Sequence, residues 1–101
     1  MPPPRITAAM ARTRAIYVNG ARWTIRHCRV PKTIHGDCDY NTRTIRISNK
    51  LHGEDFLNVL VHEWIHARWP DFSESVVSES ADELAAVIHA YRFRQPDEQE
   101  D

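Results

Sequence analysis

Near the N-terminus the apolar positions alternate. Ala15 to Val18 and Arg22 to Arg29 are rich in β-branched and aromatic residues, and Asn19-Gly20 between them tolerates positive φ, so the stretch predicts a β-hairpin. In the second run Trp23, Ile25 and His27 share one face, opposite Arg22, Thr24, Arg26 and Cys28. Pro31 to Asn41, with its Pro, Gly, Asp and Asn, is expected to be a loop. Thr42 to Ser48 then alternates again, with Ile45 and Ile47 on one face, and predicts a third strand.

The period changes after residue 50. Phe56, Val59, Leu60, Trp64 and Ile65 recur at helical spacing between Asp55 and about Arg68, and Pro70 closes the pattern. A second helix is expected from Ser73 or Glu74 to about Phe93, with Ser73 as N-cap and Pro96 beyond its end. Strand, strand, strand, helix, helix is an α+β order: a small three-stranded sheet packed on two helices. Residues 15–94 form the expected single domain, between a flexible tail at 1–14 and an acidic disordered tail at 95–101.

A chain of 101 residues that is 42% hydrophobic and 27% charged supports one modest core, to which a metal would add much. It shows neither a run of membrane-span length nor a secretory signal, so a cytoplasmic protein without membrane contact is expected, with Cys28 and Cys38 as free thiols. The net charge of -1 hides an asymmetry: residues 1–50 carry ten Lys and Arg against two acids, and residues 51–101 carry three against twelve. Packing of the two halves on each other or simple solvation accounts for this, and a weak nucleic-acid contact through the basic half is the alternative partner. Oligomeric state is left open.

The candidate chemistry lies in the first helix. His62-Glu63-Trp64-Ile65-His66 fits H-E-x-x-H, which sets two imidazoles one turn apart to grip a single metal ion and places Glu63 beside it as general base. Two histidines leave a catalytic zinc one protein ligand short. Glu79, past the turn at Pro70, is the expected third ligand, with Glu74, Asp82, Asp71 and Glu83 as rivals. Its position conflicts with the apolar stripe Val77, Ala81, Leu84, Ile88 and Tyr91, which lies nearly opposite. Val76, Ala86, Val87 and Ala90 offer a resolution in which the second helix is buried on both flanks. Tyr91, His89, Tyr40 and Arg92 are candidate oxyanion donors. Cys38 is weighed as an inhibitory zinc thiolate, and His27, Cys28, His35 and Cys38 as a second zinc site.

His62-Glu63-Trp64-Ile65-His66 followed by Glu79-Ser80-Ala81-Asp82-Glu83 resembles the gluzincin clan of metallopeptidases, which pair H-E-x-x-H with a downstream E-x-x-x-D. The resemblance implies a minimal zincin-like domain that binds Zn2+ through His62, His66 and Glu79. Glu63 would be the base, and Glu83, standing where the clan has Asp, would orient a ligand. The run from Gly36-Asp37-Cys38-Asp39 through Ile45-Arg46-Ile47 to His66-Ala67 also looks like small H-E-x-x-H proteins of phages and bacteria, and loosely like SprT-like proteases. A phage origin would place the protein in a host cytoplasm. The activity so implied is hydrolysis of peptide bonds, with a strand such as Thr44 to Ser48 pairing with extended substrate. The competing expectation is a non-catalytic, metal-stabilised binding module whose basic half contacts nucleic acid or a partner protein.

Overall fold

In the computed structural model, the structure describes the backbone of residues 13–100 and the side chains as far as Tyr91. The strands are β1 (Thr13–Val18), β2 (Ala21–Cys28), β3 (Gly36–Asp39) and β4 (Thr44–Ser48), and the helices are α1 (Gly53–Arg68) and α2 (Glu74–Glu100). The fold is α+β, a mixed sheet of order β1-β2-β4-β3 with both helices following it. β1 pairs antiparallel with β2, β2 parallel with β4, and β4 antiparallel with β3.

The expected hairpin is β1–β2. Asn19 and Gly20 both take positive φ, 52° and 80°, as the tight turn that suits strand twist requires. The sheet has four strands rather than three, because Gly36–Asp39 lies within the segment expected to be a loop. Gly and Asp disfavour strands, and these four residues pair along one side only, with β4. A turn follows in which Asp39 Oδ1 accepts from the backbone N–H of Asn41 at 2.9 Å and of Thr42 at 3.4 Å, with Arg43 at φ 51°. Because β3 occupies its outer side, β4 is internal. Thr44 to Ser48 therefore cannot receive an added strand, and the open edge on that side is β3.

α1 is apolar on two flanks. One flank closes over Val18, Trp23, Ile45 and Ile47 of the sheet through Phe56, Val59, Leu60 and Ala67. The other packs Leu57, Val61 and Ile65 on Val77 and Ala81 of α2. Sheet, α1 and α2 are thus successive layers, and the stripe between the two flanks of α1 is left for polar residues.

α2 begins as the sequence suggests: Ser73 Oγ accepts from the Val76 N–H at 3.3 Å and caps the helix. Its buried side is the single row Val77, Ala81 and Ala85. Val76 and Val87 remain 43% and 54% exposed, so the helix is not buried on both flanks. Its backbone continues past Phe93 and through Pro96 to Glu100, where a disordered tail was expected. Of the expected N-terminal tail, residues 1–12 lie outside the described residues, while Thr13 and Arg14 open β1. No helix among the described residues is long and apolar enough to cross a membrane.

Candidate metal centre

His62 and His66 leave α1 on the stripe between its two packed flanks. At about 100° per residue they lie some 40° apart around the helix, and both reach the start of α2. There Glu74, the first residue of α2, meets them: its Oε2 lies 2.9 Å from His62 Nε2 and its Oε1 lies 2.9 Å from His66 Nε2. The two rings contact edge to face, centroids 4.9 Å apart. Ser78, one turn along, donates from Oγ to Glu74 Oε2 at 3.4 Å. The two imidazoles are only about one-fifth exposed, whereas Glu74 is 67% exposed and approaches from the solvent side. These three residues are the one group of metal-ligating side chains that converge among the described residues.

Glu79 is not in the group. The buried row Val77, Ala81 and Ala85 sets the rotation of α2, which turns Glu74 and Ser78 toward α1. Five residues beyond Glu74, Glu79 lies about 140° away around the helix, exposed. Glu83 lies about 180° from Glu74, also exposed, so it orients neither histidine. Asp71 is exposed, and Asp82 accepts from Asn58 Nδ2 at 2.8 Å, tying α2 to α1 instead. The conflict between Glu79 and the apolar stripe is therefore settled for the buried start of the stripe, Val77 and Ala81, while Leu84 and Tyr91 farther along remain exposed. Glu74, three residues before Val77, is the rival candidate whose register agrees with the buried row.

Glu63 points to the other side of the histidines, against β3. A Cβ on Gly36 would lie 3.6 Å from Glu63 Cγ, 2.8 Å from Val59 Cγ1 and 2.6 Å from the Arg46 carbonyl oxygen, so only glycine lets strand and helix come this close. Burial pushes the Glu63 carboxyl up to about 7, assisted by the negative charges of Asp37 and Glu74, while His66 draws it down. Asp37 is held by Arg46, whose Nε donates to its Oδ1 at 2.9 Å. An open cleft of about 530 Å³ runs from His62 and Glu63 along Ile34, His35 and Gly36, with Ser78 and Asp82 on its far wall.

No protein-family model, curated protein or solved structure matches the chain. What the site can do follows from its own atoms.

Tetrahedral zinc with ligand bonds of 2.0–2.2 Å sets ligand atoms about 3.3 Å apart, a spacing within reach of three groups whose ligand atoms all lie within 4.8 Å of one another. Two imidazole nitrogens and one carboxylate are also the donor set of catalytic zinc, which keeps a position open.

Among the other candidates, Cys38 packs into the sheet core and stands outside the metal group. Burial, then Glu63, push its thiol up to about 11, the reverse of a thiolate ready for metal. Cys28 and Cys38 are free, and with His27 and His35 they form no second cluster among the described residues. Tyr40 donates its hydroxyl to the His66 carbonyl at 2.7 Å. Tyr91 is 65% exposed, His89 pairs with Glu54 at 3.5 Å, and the side chain of Arg92 lies outside the described residues.

The C-terminal end of α1 is also fixed by residues the sequence did not single out. Asn19 in the hairpin turn donates from Nδ2 to the Arg68 carbonyl at 3.0 Å and accepts from Arg68 Nη1 at 2.7 Å. The Arg68 guanidinium lies 4.7 Å from the ring centroid of Trp69, which stacks on Phe72 at 5.3 Å. Only the Asn-Gly signal pointed to this place, and it pointed to the turn rather than the clamp.

Proposed function

We propose that this protein is a zinc-dependent metallopeptidase in which His62, His66 and Glu74 hold the ion and Glu63 is the general base. The observation that carries this reading is the convergence of both H-E-x-x-H imidazoles on one carboxylate from a different helix, with Glu63 beside them facing the cleft.

A bound Zn2+ would lower the pKa of water toward neutrality and polarise the scissile carbonyl. Glu63, made more basic than an ordinary carboxylate by burial, takes the proton from the attacking water and delivers it to the leaving nitrogen. Gly36 and Val59 set its place by packing. Ser78 steadies Glu74, and the Tyr40 hydroxyl and Asn19 side chain hold the backbone at His66 and Arg68. The free edge of β3 borders the cleft and offers backbone groups to an extended peptide, the role expected earlier of Thr44 to Ser48.

Elemental analysis of protein supplied with zinc tests the site. About one zinc per chain is expected, lost in His62→Ala, His66→Ala and Glu74→Ala and retained in Glu79→Ala and in Glu63→Gln. Glu63→Gln should abolish peptide hydrolysis with zinc still bound. A chain that takes no zinc, or a Glu63→Gln protein with undiminished activity, would end this reading and leave the non-catalytic binding module.

A further inference from the structure

The charge asymmetry of the sequence has a local counterpart beside the cleft. A second cavity of about 750 Å³ adjoins it, and Ile34 and His35 line both. Three cationic side chains from two stretches line this cavity: Arg29 and Lys32 in the β2–β3 loop and Lys50 just past β4. No carboxylate lines it, and none of the three cations is in an ion pair among the described residues. Gathering like charges raises the electrostatic energy of the free protein, and a bound anion relieves it.

The cavity walls are tied together through the backbone. Ser48 N–H donates to the His35 carbonyl at 2.8 Å, Asn49 N–H to the Cys28 carbonyl at 2.8 Å, and Ile34 N–H to the Pro31 carbonyl at 3.1 Å. Pro31, Ile34 and Leu51 add aliphatic wall, which suits the methylenes of a long acidic side chain better than a fully hydrated ion.

We infer that this cavity is the subsite for an anionic side chain of the peptide substrate, so that the site selects acidic peptides. The inference rests on the metallopeptidase reading for what happens after binding. A peptide extended along β3 passes Gly36 beside Glu63 and then reaches His35 and Ile34. At about 3.3 Å per residue, its anionic residue would stand roughly two to four positions from the scissile bond. Aspartate, glutamate and a phosphorylated serine supply the same chemistry, and the Arg29 guanidinium can donate to either kind of oxyanion.

Zinc-loaded Glu63→Gln protein, which binds without turnover, is titrated by fluorescence anisotropy with labelled peptides that differ at one position: Gln, Glu, phosphoserine or Lys. The position is moved along the peptide. At one or two neighbouring positions Glu is expected to bind about tenfold tighter than Gln and Lys to bind weakest, with the spread shrinking as salt is raised. Phosphoserine gaining where Glu does not would confine the subsite to phosphate, and both gaining would make it general for anions. Adding Lys32→Glu and Lys50→Glu should invert the ranking so that the Lys peptide binds best, a result that unfolding cannot produce.

Equal affinity for all four peptides at every position, an unchanged ranking in the charge-reversed protein, or a single-stranded oligonucleotide outcompeting every acidic peptide overturns the inference. Wild-type hydrolysis of the same peptides separates it from the reading it rests on. Selective binding without cleavage sinks the peptidase and leaves the subsite, whereas cleavage indifferent to charge does the reverse.

Discussion

Asn19 and Arg68, 49 residues apart in sequence, hold each other reciprocally: the Asn19 amide donates to the Arg68 carbonyl and accepts from the Arg68 guanidinium. The hairpin turn thereby fixes the end of α1, two residues past His66. Asn19 also carries positive φ, which glycine tolerates and alanine does not. Asn19→Gly keeps the turn and loses the clamp, so it should cost about 1–3 kcal/mol for two hydrogen bonds, and Asn19→Ala should cost more. Urea denaturation compares the two, and equal losses would mean that only the clamp matters, whereas no loss in Asn19→Gly would mean that only the turn does.

At Gly36 the constraint is contact rather than φ. A Cβ there meets Val59 Cγ1, which can be trimmed, and the Arg46 carbonyl oxygen, which cannot. Gly36→Ala should therefore destabilise by about 1–3 kcal/mol and lower activity by shifting β3 away from Glu63. Gly36→Ala with Val59→Ala should recover only part of the stability in the same denaturation assay, because the backbone contact persists. Full recovery would show that the side-chain contact was the whole obstacle.

These two positions mark where the sequence was and was not legible. Period and turn chemistry announced the hairpin, β4, α1, the start of α2 and the pair His62–His66, since each is a local pattern. β3 was illegible because Gly36-Asp37-Cys38-Asp39 has neither alternation nor strand propensity, and its pairing with β4 decides its state. Glu74 was half-legible. Its spacing from Val77, Ala81 and Ala85 put it in register with the buried row, yet the expected antiparallel return past Pro70, and then the likeness to E-x-x-x-D, favoured Glu79, which lies away from that row.

The raised carboxyl of Glu63 predicts how the metal-free protein responds to pH. Its ordinary value is 4.5 and burial brings it to about 7, so between these values the folded chain keeps a proton that the unfolded chain has released. The folded state binds more protons, and this group's contribution makes stability fall as pH rises through that window. Glu63→Gln removes the effect. In chelator it should be more stable than wild type at pH above about 7, and the difference should vanish below about 4.5. Thermal unfolding of both proteins against pH measures the difference directly. A difference that does not change with pH would mean that the carboxyl is not shifted.

Ser73 connects helix capping to the proposed metal site. Its hydroxyl accepts from the Val76 N–H, and the residue it positions next in the chain is Glu74. Ser73→Ala should cost about 1 kcal/mol through the lost cap and loosen the first turn of α2. His62 and His66 stay on α1, so the loss of zinc affinity should be smaller than in Glu74→Ala but measurable by competition with a chelator. Ser73→Thr and Ser73→Asn, which restore a capping oxygen, should recover both stability and affinity. Stability lost with zinc affinity intact would show that Glu74 holds its place without the cap, through His62, His66 and Ser78 alone.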